Sequence, residues 1–271
     1  MKQDNIIKKI WLCIYPLIFW AVNQFAVGFL FQLCFLFNMT NKGKENLITT
    51  QSLMEFTSEN IVLILLITSI INILFFAFML KRNNKLNIRL NCGESKIPYI
   101  LSLILMGISF FMFSSGIIDM FDLTKYSDSY ETIINSLSSG GVLFNIIAVG
   151  IVAPVSEELM IRGVIYNNLK KYITPSFAIL VQALLFGLMH MNIIQSTYAV
   201  IAGLILGYIY EKSNSLLVSS IFHISFNISN HLFSVPLLSD LAGIPALMLV
   251  IGLILFIYTF RHFNKKASVE H

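Results

Sequence analysis

Apolar residues fill long stretches of this chain on every face, with neither the spacing of an amphipathic helix nor the alternation of a half-buried strand. From Ile61 to Leu80 only Thr68, Ser69 and Asn72 interrupt the run. About 20 such residues, rising about 1.5 Å each, cross a hydrocarbon core of roughly 30 Å. Reading the chain this way gives about eight spans: Ile10 to Phe37, Ile61 to Leu80, Ile97 to Ile118, Gly141 to Ile161, Pro175 to His190, Tyr198 to Tyr210, Leu216 to Phe233 and Ile244 to Phe260. The fifth and sixth are short, which predicts polar ends lying inside protein or in a water-invaded part of the bundle. A transmembrane barrel is excluded, because its strands alternate polar and apolar positions in segments of about ten residues. The first run follows Lys8 and Lys9 like a signal peptide, but it continues well past a signal core of about 7 to 15 residues and reads as an anchor.

Composition agrees with that pattern. A chain of 271 residues that is 56% hydrophobic and only 12% charged would leave a soluble globule covered in apolar surface. The expected fold is therefore an all-α, polytopic integral membrane bundle of about eight transmembrane helices. Charge sets its orientation, since basic residues beside spans are retained in the cytoplasm. With the N-terminus inside, Lys2, Lys8, Lys9, Lys81, Arg82, Lys85, Arg89, Lys96, residues 162–171, residues 211–215 and the tail all fall inside. Of the 18 Lys and Arg, only Lys42, Lys44 and Lys125 fall outside, while Asp119, Asp122, Asp128 and Glu131 crowd one outer loop. Both termini are expected in the cytoplasm, and the richness in Ile, Phe, Asn and Lys points to a bacterial plasma membrane. Cys13, Cys34 and Cys92 have neither metal-type spacing nor a disulfide pattern, and nothing calls for nucleic acid.

Ionisable groups inside a bilayer cost at least about 2.5 kcal/mol each at a helix centre, so their positions carry the functional signal. They cluster on three spans: Glu157, Glu158 and Arg162 on the fourth, His190 at the end of the fifth with Phe186 one turn before it, and His223 and Asn227 on the seventh. Neighbours in a helix diverge by about 100° whereas residues four apart share a face. Arg162 is therefore expected to pair with Glu158, leaving Glu157 directed elsewhere as the catalytic carboxylate. His223 and Asn227 share a face. If the fourth helix runs on to the turn near Lys171, Glu157 and His190 both stand roughly 21 to 23 Å from that hairpin, and His223 about 14 Å from its own turn. Pro154, one turn before Glu157, removes a backbone hydrogen bond and bends the helix toward a cavity, which is expected to open to the cytoplasmic side. Singly, these residues have ordinary readings as interfacial charges, a helix-end histidine or interhelical hydrogen bonds; His231, Asn230 and Asn145 are read as structural, His262 and His271 as tail residues. Together they suit amide hydrolysis: Glu157 and His190 activate water, and His223 and the Asn227 amide bind the oxyanion.

At these positions the sequence resembles the CPBP family of intramembrane proteases, which includes CAAX prenyl proteases and bacteriocin-processing Abi proteins. Its EExxxR, FxxxH and HxxxN motifs appear in order as Glu157, Glu158 and Arg162, then Phe186 and His190, then His223 and Asn227. The resemblance covers about residues 140–235, which divides the chain into N-terminal spans with an outer loop (1–139), a catalytic four-helix core (140–235) and a last span with its tail (236–271). It implies an endopeptidase cleaving a leader peptide, quorum-sensing precursor, bacteriocin or prenylated protein at the membrane. No cofactor is expected; zinc, where present, would take Glu157, His190 and His223, although no HExxH or Cys-rich signature demands it. The alternatives are a peptide-binding or bacteriocin-immunity protein of the same fold, and a transporter, which calls for a repeated half that this sequence lacks.

Overall fold

The computed structural model describes residues 6–88, 96–127, 130, 136 and 141–267. Lys2, Arg89, Cys92, Asp128, Glu131 and His271 lie outside the described residues, as does most of the expected outer loop. The protein is an all-α polytopic membrane bundle, 86% helical, with no strand among the described residues. Its helices are α1 (Ile6–Asn41), α2 (Thr50–Glu59), α3 (Ile61–Arg82), α4 (Lys96–Met120), α5 (Val142–Leu169), α6 (Pro175–Leu188), α7 (Ile193–Ser213), α8 (Leu216–Leu232), α9 (Pro236–Ala242) and α10 (Pro245–Ala267). Among the described residues, six helices (α1, α3, α4, α5, α7 and α10) are long and apolar enough to cross a membrane, while α6 has 14 residues.

Local chemistry explains where these helices begin and end. Thr49 and Ser52 form a reciprocal capping box at the start of α2, and α6 opens on Pro175, whose missing N–H costs nothing in a first turn. The sixth span is longer than expected. Asn192 caps it by accepting from the amides of Ile194 and Gln195, so residues 193–197, which precede the expected start at Tyr198, belong to the helix, and α7 runs for 21 residues. It ends at Asn214, in the left-handed conformation that asparagine tolerates. Arg162 also departs from expectation: it lies fully buried within α5 rather than in a cytoplasmic segment.

Packing follows membrane rules, with close backbone approach and a few interhelical hydrogen bonds in place of a solvent-driven core. A Cβ on Gly252 of α10 would lie 2.5 Å from the Phe113 amide nitrogen of α4, so these helices touch backbone to backbone. Gly203 of α7 meets Ala183 of α6 in the same way. Asn23 of α1 donates to Asn72 Oδ1 and to the Thr68 carbonyl of α3, both at 2.9 Å. α5 lies at the centre, where Leu159, Met160, Ile161 and Ile165 pack with Phe76 and Leu80 of α3 and with Phe186 and Leu216.

α5 is not a regular helix. Ile146–Val152 and Leu159–Tyr166 are π-helical, separated by the α-helical turn Ala153–Glu158. The wider π winding bonds each amide to the carbonyl five residues back, as Ala153 does to Ala148. Pro154 then has no amide for the next carbonyl in that ladder, Val149, and leaves it unpaired by the helix itself.

Candidate active site

The turn Ala153–Glu158 presents Glu157 and Glu158 in different directions, as neighbours in an α-helix must be. Glu158 and Arg162 pair, Oε1 to Nη1 at 2.8 Å, with neither side chain exposed. Arg162 Nη2 reaches the Gly203 carbonyl at 3.3 Å, which also accepts from Gln182 Nε2 at 2.7 Å. A layer of buried polar groups thus ties α5, α6 and α7 together. Gln182 was missed by sequence reasoning, though an amide inside an apolar span is itself such a signal.

Glu158 does more than neutralise Arg162. Its Oε1 also lies 3.0 Å from His223 Nδ1, while His223 Nε2 faces Glu157 Oε2 at 3.6 Å. The two carboxylates diverge along their helix yet address opposite nitrogens of one imidazole, a common partner that the 100° rule had seemed to forbid. An ion-paired carboxylate only accepts, so the proton on Nδ1 points to Glu158. Nε2 is then an acceptor in the neutral ring and a donor only in the imidazolium.

His190 sits in the turn after α6, which ends at Leu188, rather than on the helix. Its Nδ1 lies 2.9 Å from the Phe186 carbonyl, an acceptor, so Nδ1 carries hydrogen and Nε2 is left as the acceptor. The Phe186 ring meets His190 and His223 edge-on at 5.0 and 5.6 Å, and the Arg162 guanidinium stacks over it at 4.9 Å. One buried phenyl ring therefore backs both histidines and the buried arginine.

Asn227, one turn after His223, donates through Nδ2 to the Val149 carbonyl at 3.1 Å. That is the acceptor stranded by Pro154, so a side chain of α8 supplies the hydrogen bond that the proline removes from α5. One Nδ2 hydrogen remains for another acceptor.

Glu157, His190, His223 and Asn227 all line one cavity of about 660 Å³, together with Trp20, Gln24 and Gln32 of α1, Met54, Thr57 and Ser58 of α2, and Ile61, Leu65 and Ser69 of α3. The Glu157 side chain is 22% exposed and that of His223 5%, so the site is partly wet at the carboxylate and dry at the imidazole. The cavity does not run toward the basic end of the bundle, as had been expected. Its lining extends from the middle of α5 toward α2 and the first turns of α3, at the opposite end. None of α1, α2 or α3 carries a motif that would have placed it here.

No group of three or more His, Cys, Asp or Glu side chains among the described residues is arranged to hold a metal ion. His223 already has a carboxylate at each nitrogen, and Glu157, His190 and His223 do not converge on a common point as a zinc set requires.

Residues 139–229 match the family described as type II CAAX prenyl endopeptidase Rce1-like. The match contains all seven motif residues and leaves out α1–α4, α9 and α10, and it agrees with the resemblance carried by the three motifs. No curated protein and no solved structure matches the chain. Over these residues the protein is similar to CAAX-type membrane proteases, and its long apolar helices make it an integral membrane protein.

Proposed function

We propose that this protein is a membrane-embedded endopeptidase in which Glu157 and His190 activate water and His223 and Asn227 stabilise the oxyanion. The observation that carries this reading is the His223 imidazole held between Glu158 and Glu157 at the wall of the cavity. The mechanism uses one proton placed between Nε2 and the Glu157 carboxylate. With it on His223, the pair is an imidazolium donor beside a carboxylate base, which are the two groups that amide hydrolysis requires.

A water between Glu157 and His190 gives one proton to the Glu157 carboxylate while its other hydrogen is held by His190 Nε2. Its oxygen adds to the scissile carbonyl carbon. The oxyanion that forms accepts from His223 Nε2–H and from the second Nδ2–H of Asn227, and Glu157 then passes its proton to the leaving amine as the C–N bond breaks. Each preorganised donor contributes about 3 to 4 kcal/mol to such a step. The cavity lies within the 300 to 1,000 Å³ of small-ligand sites, room for a few extended residues but not a folded domain. Leader peptides, quorum-sensing precursors and bacteriocins present such segments, and we place the enzyme in a bacterial plasma membrane.

The test is cleavage of a membrane-associated peptide library by the protein in nanodiscs and by Glu157→Gln, each with and without a strong chelator. We expect cleavage that Glu157→Gln abolishes while the variant keeps its melting temperature. Cleavage that survives in the variant overturns the reading, loss with chelator restores a metal, and a folded wild type that binds peptides without cutting them is a peptide-binding protein.

A further inference from the structure

Lys81, Arg82, Lys85, Lys170, Lys171 and Lys212 gather at one end of the bundle, where Lys170 pairs with Glu211 and Asn87 Nδ2 bonds the Asn214 carbonyl. Between this end and the site lies the polar layer of Glu158, Arg162 and Gln182, each with no exposed surface. The inner lining of the cavity is buried too, at Ser156, Phe186, Ala202 and His223. At the other end Met54 lines the same cavity while 66% exposed. The site is thus sealed toward the basic end and continuous with the surface at the opposite one.

The wall along that route has a definite chemistry. Trp20, Gln24, Gly28 and Gln32 follow each other at intervals of four on one face of α1, and a Cβ on Gly28 would meet nothing within 4 Å. Gln24 and Gln32 stand about 12 Å apart, a length that about four residues of extended peptide cover. Each amide can donate and accept, matching a peptide backbone; Gln32 Nε2 bonds Thr57 Oγ1 at 3.3 Å, which leaves its carbonyl. Among the described lining residues there is no Lys, Arg or Asp, and Glu157 is the one carboxylate. Such a wall favours an uncharged segment, because a charge would enter a mostly apolar cavity without a partner.

We propose that substrate reaches Glu157 from the face opposite the basic one, as an extended, uncharged peptide segment laid along Trp20, Gln24 and Gln32 of α1. With the basic end cytoplasmic, the protein acts on chains presented outside the cytoplasm. The substrate class rests on the protease reading above; the route does not.

Single cysteines at Gln24, Gln32 and Lys212, in a background with Cys13, Cys34 and Cys92 changed to Ser and with Glu157→Gln, test it by reaction with a charged, impermeant methanethiosulfonate. In sealed right-side-out vesicles Gln24→Cys and Gln32→Cys should react and Lys212→Cys should not; in inverted vesicles the pattern reverses. An uncharged, apolar probe peptide at ten times its Kd should slow labelling of Gln24→Cys about tenfold, and the same peptide with a central Lys should not. Reaction of Gln24→Cys from the inverted side or from neither side, reaction of Lys212→Cys in right-side-out vesicles, or equal protection by both peptides overturns the proposal. None of these readouts needs turnover. A wild type that cleaves nothing ends the protease reading and leaves the route standing, while labelling from the wrong side does the reverse.

Discussion

Replacing Arg162 by Met removes the counter-charge of a carboxylate that has no exposed surface. At 2.8 Å the pair attracts by about 6 kcal/mol even at an effective dielectric of about 20. Most of this offsets the cost of burying two ions, so the pair itself adds little; stranding one partner, however, costs about 3 to 5 kcal/mol. Gly203 keeps its bond from Gln182 and Glu158 keeps the one from His223, so the loss concentrates on the carboxylate. Arg162→Met should therefore melt roughly 6 to 20 °C below wild type, measured by dye-monitored unfolding in one detergent. Glu158→Gln combined with Arg162→Met removes both charges and should recover most of that shift, as in a double-mutant cycle. Activity should not return with it. His223 Nδ1 has then lost its carboxylate, and peptide cleavage should stay about a hundredfold or more below wild type, as when a catalytic histidine loses its orienting acid. An Arg162→Met protein that melts with wild type, or a double variant no more stable than the single, would refute the account of this layer.

Asn227→Leu should cost about 1 to 3 kcal/mol through the stranded Val149 carbonyl, as well as about a hundredfold or more in cleavage rate; Pro154→Ala, which returns an amide to α5, should restore its melting temperature but not its activity. Gly252→Ala drives a methyl against the α4 backbone and should destabilise by about 1 to 3 kcal/mol, seen in the same unfolding assay; wild-type melting would mean that α4 and α10 separate freely. Asn72→Leu removes one of the two hydrogen bonds that Asn23 of α1 makes to α3, worth about 0.6 kcal/mol and at most about 2, and a larger loss would show that the remaining bond to the Thr68 carbonyl does not hold Asn23 in place.

Much of this site was legible because charge inside a membrane is expensive and therefore sparse. Glu157, Glu158, Arg162, His190, His223 and Asn227 stand out from an apolar background, and four-residue spacing matches the Glu158–Arg162 pair at 2.8 Å. What was not legible depends on how helices face one another. The contact of Glu158 with His223 joins residues 65 apart and depends on the rotation of α8 against α5. The π segments of α5 have no marker in an apolar run, so the role of Asn227 toward Val149 could not be read even though Pro154 announced a missing amide. The cavity's direction was misread for a related reason: Gln24 and Gln32 are amides inside an apolar span, as Gln182 is, but with Thr57 they point to a direction only when α1, α2 and α3 close around α5. Gln195 fell before the expected start of the sixth span at Tyr198, because the Asn192 cap that begins the helix earlier is visible only in the structure.

The brevity of α6 has a mechanical consequence. Its 14 residues reach about 21 Å, while Phe177, Leu180, Leu184 and Leu188 face outward along its whole length. Lipid beside that face meets an apolar band roughly 9 Å shorter than a typical hydrocarbon core, and a short band thins the bilayer next to it. The polar surface of the membrane is drawn inward at the edge nearest His190, which shortens the path that a water molecule travels to the site. On the proposed protease reading, acyl-chain length thereby becomes a variable of hydrolysis: thick bilayers work against the local dimple and thin ones relax it, so the membrane itself would set how readily the site is hydrated.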